Sequence, residues 1–169
     1  MVAGQLYEAP LPLSGELGHT PVLGAGRPCG CGGTGCLETL VSRGGLMQSF
    51  AEATGREPRT VSWPELQAHV ARAGIEPWLD EAIRAGANAI AGALNVLGLR
   101  QVAITGALTE LGEPVTDRLA QIVERSAMWG RFGDVRCEPA PRRRVAGLVA
   151  AGLDRLVMNR RYVASEPSL

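Results

Sequence analysis

GELGHTPVLGAGRPCGCGGTGCLE, residues 15–38, carries three of the chain's four cysteines within eight positions, with one of its two histidines just upstream. From Gly24 to Gly35 the chain is almost entirely glycine, cysteine and proline, which reads as irregular loop. Glycine loses more freedom than any other residue when it is ordered, so such a loop needs a clip. His19, Cys29, Cys31 and Cys36 are separated by nine, one and four residues. Three thiolates and one imidazole make a closed tetrahedral zinc site of the structural kind. Gly30, Gly32, Gly33 and Gly35 permit the sharp bend that turns Cys29 and Cys31 inward together. Cys36 falls at a predicted helix start, where partial positive charge favours a thiolate. The competing reading is a disulfide, or free thiols in a flexible loop. A Cys-Gly-Cys bridge would be strained, and a reducing compartment disfavours it. Cys137, on a predicted strand, reads as an ordinary buried thiol.

Two carboxylates flank the loop. Glu16 precedes His19 by three residues, and Glu38 follows Cys36 by two. A zinc ion would draw both ends of the loop together. Carboxylates accept paired hydrogen bonds from vicinal hydroxyls, and a histidine holding metal through one nitrogen can donate from the other. Glu16, His19 and Glu38 therefore form a candidate polyol or sugar site. The alternative is that Glu38 caps its own helix and Glu16 is merely solvated.

The 169 residues suffice for one sizeable domain. They are 46% hydrophobic but 4% aromatic, so the core is aliphatic. Lys plus Arg and Asp plus Glu number 17 each, which gives no global field for nucleic acid. No apolar run reaches the length of a membrane span. The N-terminus MVAGQLYEAPLPL lacks the charge and apolar core of a signal peptide. A cytoplasmic protein is expected.

Along the chain, residues 2–7 and 20–23 are candidate short strands. A helix is expected from Cys36 through LETLVSRGGLMQSFAEAT, weakened or split by Gly44 and Gly45. SWPELQAHVARAG is a second helix, with Ser62 as N-cap, Glu65 completing a capping box and Gly74 as stop. EPWLDEAIRAGANAIAGALNVLG is the strongest helix. Leu79, Ile83, Gly86, Ile90, Leu94 and Leu97 form its apolar stripe, and Gly98 ends it. RQVAIT follows as a short buried strand. Pro114 opens a helix with Val115, Leu119, Ile122 and Ser126 on one side. DVRCEPA is a second strand, and Pro141 opens a last helix bearing Val145, Leu148, Gly152 and Leu156. This alternation predicts an α/β fold with parallel strands. Two such strands make a thin sheet for this length. Arg142, Arg143 and Arg144 at the last helix start either meet an anion or partner, or form a solvated turn.

GELGH followed by CGCGGTGCLETLVS resembles the signature of the ROK family of repressors, open reading frames and sugar kinases. The pattern is Glu-x-Gly-His, then Cys-x-Cys-Gly-x-x-Gly-Cys-x-Glu, at the same His-to-Cys interval. The resemblance implies the C-terminal lobe of the actin-like, ribonuclease-H-like sugar kinase fold, with a zinc-binding loop. His19, Cys29, Cys31 and Cys36 match the family's zinc ligands. Glu16, His19 and Glu38 match residues that contact sugar hydroxyls. The lobe is assigned to residues 1–161, with the zinc loop at 19–36, residues 162–169 as a frayed tail, and the N-terminal lobe expected to be absent.

The departures bear on activity. Neither the Asp-x-Gly-x-Thr phosphate motif nor the Asn-Asp pair with the catalytic base occurs, and Asp80, Asp117, Asp134 and Asp154 lack the family's context. No catalytic residue is assigned, and this chain alone is expected not to phosphorylate a sugar. Family kinases often carry a Gly-Gly pair where AITGAL keeps only Gly106, a weak nucleotide contact. That feature and CLETLVS look closer to family repressors. The expected function is the sugar-sensing lobe of a truncated ROK transcriptional regulator. The alternative is the C-terminal lobe of a ROK sugar kinase, with ATP and Mg²⁺ as cofactors only in a full-length enzyme. A homodimer, weak sugar binding in isolation, and DNA contact only through a domain outside this sequence complete the expectation, with no membrane partner.

Overall fold

The computed structural model describes residues 15–154. Contacts divide the chain into a unit over Gly15–Ala140 and a second unit that takes in residues from Pro141 onward. The first unit contains helices α1 (Glu38–Val41), α2 (Arg43–Ala53), α3 (Trp63–Ala73), α4 (Pro77–Leu97) and α5 (Glu113–Ser126), and strands β1 (Gln101–Ile104) and β2 (Arg136–Pro139). The strands pair in parallel, Val102 opposite Cys137, with α5 in the crossover between them, as a parallel pair requires. The second unit contains α6 (Arg144–Leu153). Among the described residues no helix is long and apolar enough to cross a membrane.

Local signals in the sequence set several ends. In α3, Ser62 accepts from the Glu65 amide and the Glu65 side chain reaches back to the Ser62 amide, a complete capping box. Gly98 caps α4 in the left-handed conformation at φ 65°. The core is aliphatic, as composition requires. Leu46 of α2, Leu66 of α3, Leu79 and Ile83 of α4, and Val115, Leu119 and Val123 of α5 are its largest fully buried side chains.

Elsewhere the fold departs from periodicity. Residues 20–23 are not a strand; Pro21 makes only an isolated antiparallel bridge to Cys36, because proline offers no amide for a ladder. Residues 2–7 lie outside the described residues. β1 alternates exposed and half-buried positions rather than being buried throughout, and Cys137 on β2 is half-buried. Burial, followed by the charge of Glu124, pushes the Cys137 thiol up to about 11. On α4, Leu97 is 58% exposed while Ala82, Ala87 and Ala91 are buried. Alanines let the neighbouring helices approach closely, so the buried face is set by size as well as by apolarity. On α5, Val123 is buried while Ile122 is half-buried and Ser126 exposed. Asp80 on α4 accepts from Arg84 at 2.6 Å and from Arg118 of α5 at 2.9 Å. These guanidiniums, that of Arg118 first, hold its carboxyl below the usual range. The last helix starts at Arg144 rather than Pro141, with Arg143 as N-cap, and Leu156 lies outside the described residues.

The expected helix from Cys36 breaks at Ser42, not at the glycines. Ser42 is extended (φ −72°, ψ 162°) and its hydroxyl accepts from the Gly45 amide, capping α2. Gly44 and Gly45 then fall in the first turn of α2. Gly45 is needed for a close approach: a Cβ there would stand 2.4 Å from the Thr39 carbonyl oxygen and 2.9 Å from the Leu40 nitrogen. At Gly44 the nearest neighbour would be the Ser42 hydroxyl at 3.9 Å. Gly45→Ala is therefore expected to destabilise by about 1–3 kcal/mol through overpacking. Gly44→Ala should be neutral or stabilising by up to about 1 kcal/mol through helix propensity. Thermal melts of the two variants check this, and equal melting temperatures would refute the close contact.

Candidate metal centre and flanking carboxylates

The candidate metal loop is a small hairpin that leads into α1. Pro28 bridges Thr34, and the Cys29 amide donates to the Gly33 carbonyl at 2.8 Å. The Gly35 amide donates to the Arg27 carbonyl at 2.8 Å. Gly35 has φ +71°, and a Cβ there would stand 2.4 Å from the Ala25 carbonyl. Only glycine satisfies both conditions. The hairpin buries Cys29 and leaves Cys31 exposed with its sulfur beside that of Cys36, while bonds from the Val22 amide to the Gly35 carbonyl and from the Leu37 amide to the Thr20 carbonyl lay the preceding segment alongside and bring His19 over.

The ligand atoms of His19, Cys29, Cys31 and Cys36 all lie within 4.8 Å of one another. Cys31 Sγ and Cys36 Sγ are 3.7 Å apart, and Cys29 Sγ is 3.6 Å from His19 Nδ1. A tetrahedron of sulfurs at about 2.3 Å from a zinc ion has edges of about 3.8 Å. The donor set and its spacing therefore fit a four-coordinate divalent metal, and the cluster can hold one. The Cys31 amide lowers the Cys29 thiol, but the Glu38 carboxylate, burial and the neighbouring thiols outweigh it and push it up to about 12. Burial raises Cys36, and the Gly33 amide lowers Cys31. Three thiols this close do not ionise together without a cation among them, and a bound metal inverts that balance. Cys36 lies directly ahead of α1, a helix of only four residues that begins at Glu38 with Leu37 as N-cap.

The carboxylates flank the same imidazole. Glu16 Oε2 is 3.9 Å from His19 Nε2, and Glu38 Oε1 is 3.9 Å from His19 Nδ1. Glu38 Oε1 also accepts from the Cys29 thiol at 2.8 Å. The side chains of Glu16, Glu38 and His19 are 56%, 43% and 36% exposed, so hydroxyls of a solute can reach all three. Gly106 follows β1 at φ +128° in open space, and its carbonyl accepts from the Thr109 hydroxyl and the Glu110 amide. Sequence reasoning missed Arg27. The signal was there: Arg27 is the one charged residue between His19 and Glu38, and its guanidinium binds two carbonyls and Glu52.

Comparison with known proteins supplies the family. The chain is 33% identical over 120 residues to the uncharacterized protein YphH of Escherichia coli K12, covering 64% of this chain and 30% of YphH. It is 41% identical over 59 residues to the N-acetylmannosamine kinase of Shigella boydii, covering 34% of this chain and 20% of that protein. The fold resembles a ROK hexokinase from Thermus thermophilus (TM-score 0.70, 25% identity), covering 87% of this chain and 49% of that one. It also resembles a ROK family transcriptional regulator homologous to the E. coli MLC protein (TM-score 0.64, 24% identity), covering 83% and 38%. The chain thus spans about half or less of each of these proteins. The sequence profile of the ROK family matches residues 2–153, across both the metal cluster and the parallel strand pair; this chain belongs to the ROK family.

Proposed function

We propose that this chain is a sugar-binding lobe whose shape depends on a structural zinc ion, and that it serves as the sugar-sensing part of a ROK transcriptional regulator. The observation that carries the sugar site is the double placement of His19, with Nδ1 among the thiols and Nε2 toward Glu16. A metal on Nδ1 leaves the proton on Nε2, fixes the ring and aims a donor toward Glu16, while Glu38 stands on the Nδ1 edge of the same ring. One N–H donor and two partly exposed carboxylates around a single imidazole offer partners to sugar hydroxyls. When bound, the zinc supplies a fixed loop shape and no chemistry of its own, as a four-ligand closed site does.

The sensing role is supported by the turn after β1. Ala107 follows Gly106 there, and it packs against the core as the 3-10 turn Leu108–Leu111 begins. A side chain in that place narrows the room for a nucleotide backbone contact. A second reading, the C-terminal lobe of a ROK sugar kinase using ATP and Mg²⁺, is favoured by the likeness to the N-acetylmannosamine kinase. The reading includes a homodimer, for which the exposed Val96, Leu97, Met128 and Phe132 offer apolar surface. DNA would be contacted only through another domain.

Titration calorimetry with glucose and N-acetylmannosamine tests the site, and adding a non-hydrolysable ATP analogue separates the two readings. Glu38→Gln is expected to weaken sugar binding about 10- to 100-fold, the worth of a hydrogen bond to a charged acceptor, with metal content unchanged. Unchanged sugar affinity in both Glu16→Gln and Glu38→Gln would end the sugar assignment. Saturable, Mg²⁺-dependent binding of the analogue would favour the kinase.

A further inference from the structure

The groups assembled at the candidate metal site lie on two pieces of chain. His19, Cys29 and Cys31 belong to the loop and its hairpin, whereas Glu38 belongs to α1, which ends after one turn. Arg27 binds both pieces. Its carbonyl accepts from the Gly35 amide at 2.8 Å and closes the base of the hairpin that carries Cys29 and Cys31. Its guanidinium, 19% exposed, reaches the elbow between α1 and α2. One nitrogen donates to the Thr39 carbonyl at 2.9 Å and to the Gly45 carbonyl at 3.2 Å, and the other donates to Glu52 Oε2 at 2.7 Å. The break at Ser42 cuts the helical ladder, leaving carbonyls of α1 in need of other donors, and the Thr39 carbonyl takes its bond from Arg27. Thr39 is the residue after Glu38. Gly45 is the point where the α2 backbone lies against that same carbonyl.

We propose that Arg27 is a positioning residue that locks the metal-carrying hairpin to the elbow bearing Glu38. The affinity of the sugar site then depends on a side chain that touches neither sugar nor metal. This inference rests on the sugar reading given above. Three acceptors in different directions suit a planar guanidinium with several donors; a lysine ammonium on its flexible stem does not replace them. Glu52 balances the charge, its own carboxyl held low by Gln48 and by Arg27.

The test uses the full chain loaded with zinc and carrying Arg27→Ala, Arg27→Lys or Glu52→Gln. Metal content is read by elemental analysis, affinity by titration with glucose and N-acetylmannosamine, and elbow order by amide hydrogen exchange at residues 38–42. Zinc should stay stoichiometric in all three, because the four ligands remain. In Arg27→Ala the sugar Kd should rise at least about tenfold, and exchange at residues 38–42 should quicken by about the same factor while α3 is unaffected. These factors correspond to losing one charge-assisted hydrogen bond. Arg27→Lys should behave like Arg27→Ala. Glu52→Gln, which leaves both carbonyl bonds in place, should stay within about threefold of wild type. If Arg27→Ala does not fold, Arg27→Lys is read alone. Wild-type affinity together with wild-type exchange in Arg27→Lys overturns the proposal. If the unsubstituted chain binds neither sugar, the sugar reading fails by itself, and exchange decides Arg27: no quickening at residues 38–42 overturns it, and quickening confined there sustains the lock.

Discussion

Elemental analysis of the purified chain is expected to return one zinc per 169 residues, and Cys31→Ser to lose most of it. Cys31 is one of four donors whose ligand atoms lie within 4.8 Å of one another, and a closed site that drops to three donors admits water and loses affinity. A chelator should lower the melting temperature by about 10 °C or more. A ligand held at about 1,000 times its Kd contributes about 4 kcal/mol, and in a chain of this size each kcal/mol moves the midpoint by about 2–4 °C. The effect should start at the loop, where the four candidate ligands lie, and leave the α4–α5 packing for last. Metal affinity should fall as pH falls, because each thiol must give up its proton to bind. Full stoichiometric zinc in the Cys29→Ser, Cys31→Ser double variant would refute the ligand set, as would a melting temperature indifferent to chelation.

Leu79→Ala should destabilise the first unit by about 3–5 kcal/mol. Leu79 is fully buried, and truncating such a leucine removes its transfer free energy and leaves a cavity. Against a total of about 5–15 kcal/mol for a typical domain, that is a large share. Leu97→Ala, on the same helix and in the same apolar stripe of sequence, should change stability by no more than about 0.5 kcal/mol, because Leu97 is 58% exposed. Urea unfolding distinguishes the two. The midpoint should move for Leu79→Ala with little change in slope. Equal shifts would mean that the exposed end of α4 is covered in solution, as the proposed homodimer would cover it.

The two pairs of substitutions, Gly44 against Gly45 and Leu79 against Leu97, mark where reading from sequence stopped. Each pair looks alike in sequence: adjacent glycines, or two leucines in register on one helix. They differ only in what lies across from them, the Thr39 carbonyl in one case and the bodies of neighbouring helices in the other.

What the sequence by itself determined were features whose physics is short-range. The candidate metal donors fall within eighteen residues, so ligand chemistry and glycine freedom alone pick out His19, Cys29, Cys31 and Cys36, whose ligand atoms the structure brings together. The capping box at Ser62 and Glu65 and the left-handed stop at Gly98 close within one turn of their own helices. The order of helices and strands follows from periodicity, and it led to the parallel pairing of β1 with β2. Only the tertiary structure decided the rest. Ser42 breaks the helix because its hydroxyl caps α2 while Gly45 must slide under the Thr39 carbonyl. Asp80 is held by Arg118 across 38 residues of chain, and Arg27 reaches Gly45 across 18. Such contacts leave no periodic trace, because a hydrogen bond between distant residues constrains two positions and nothing between them.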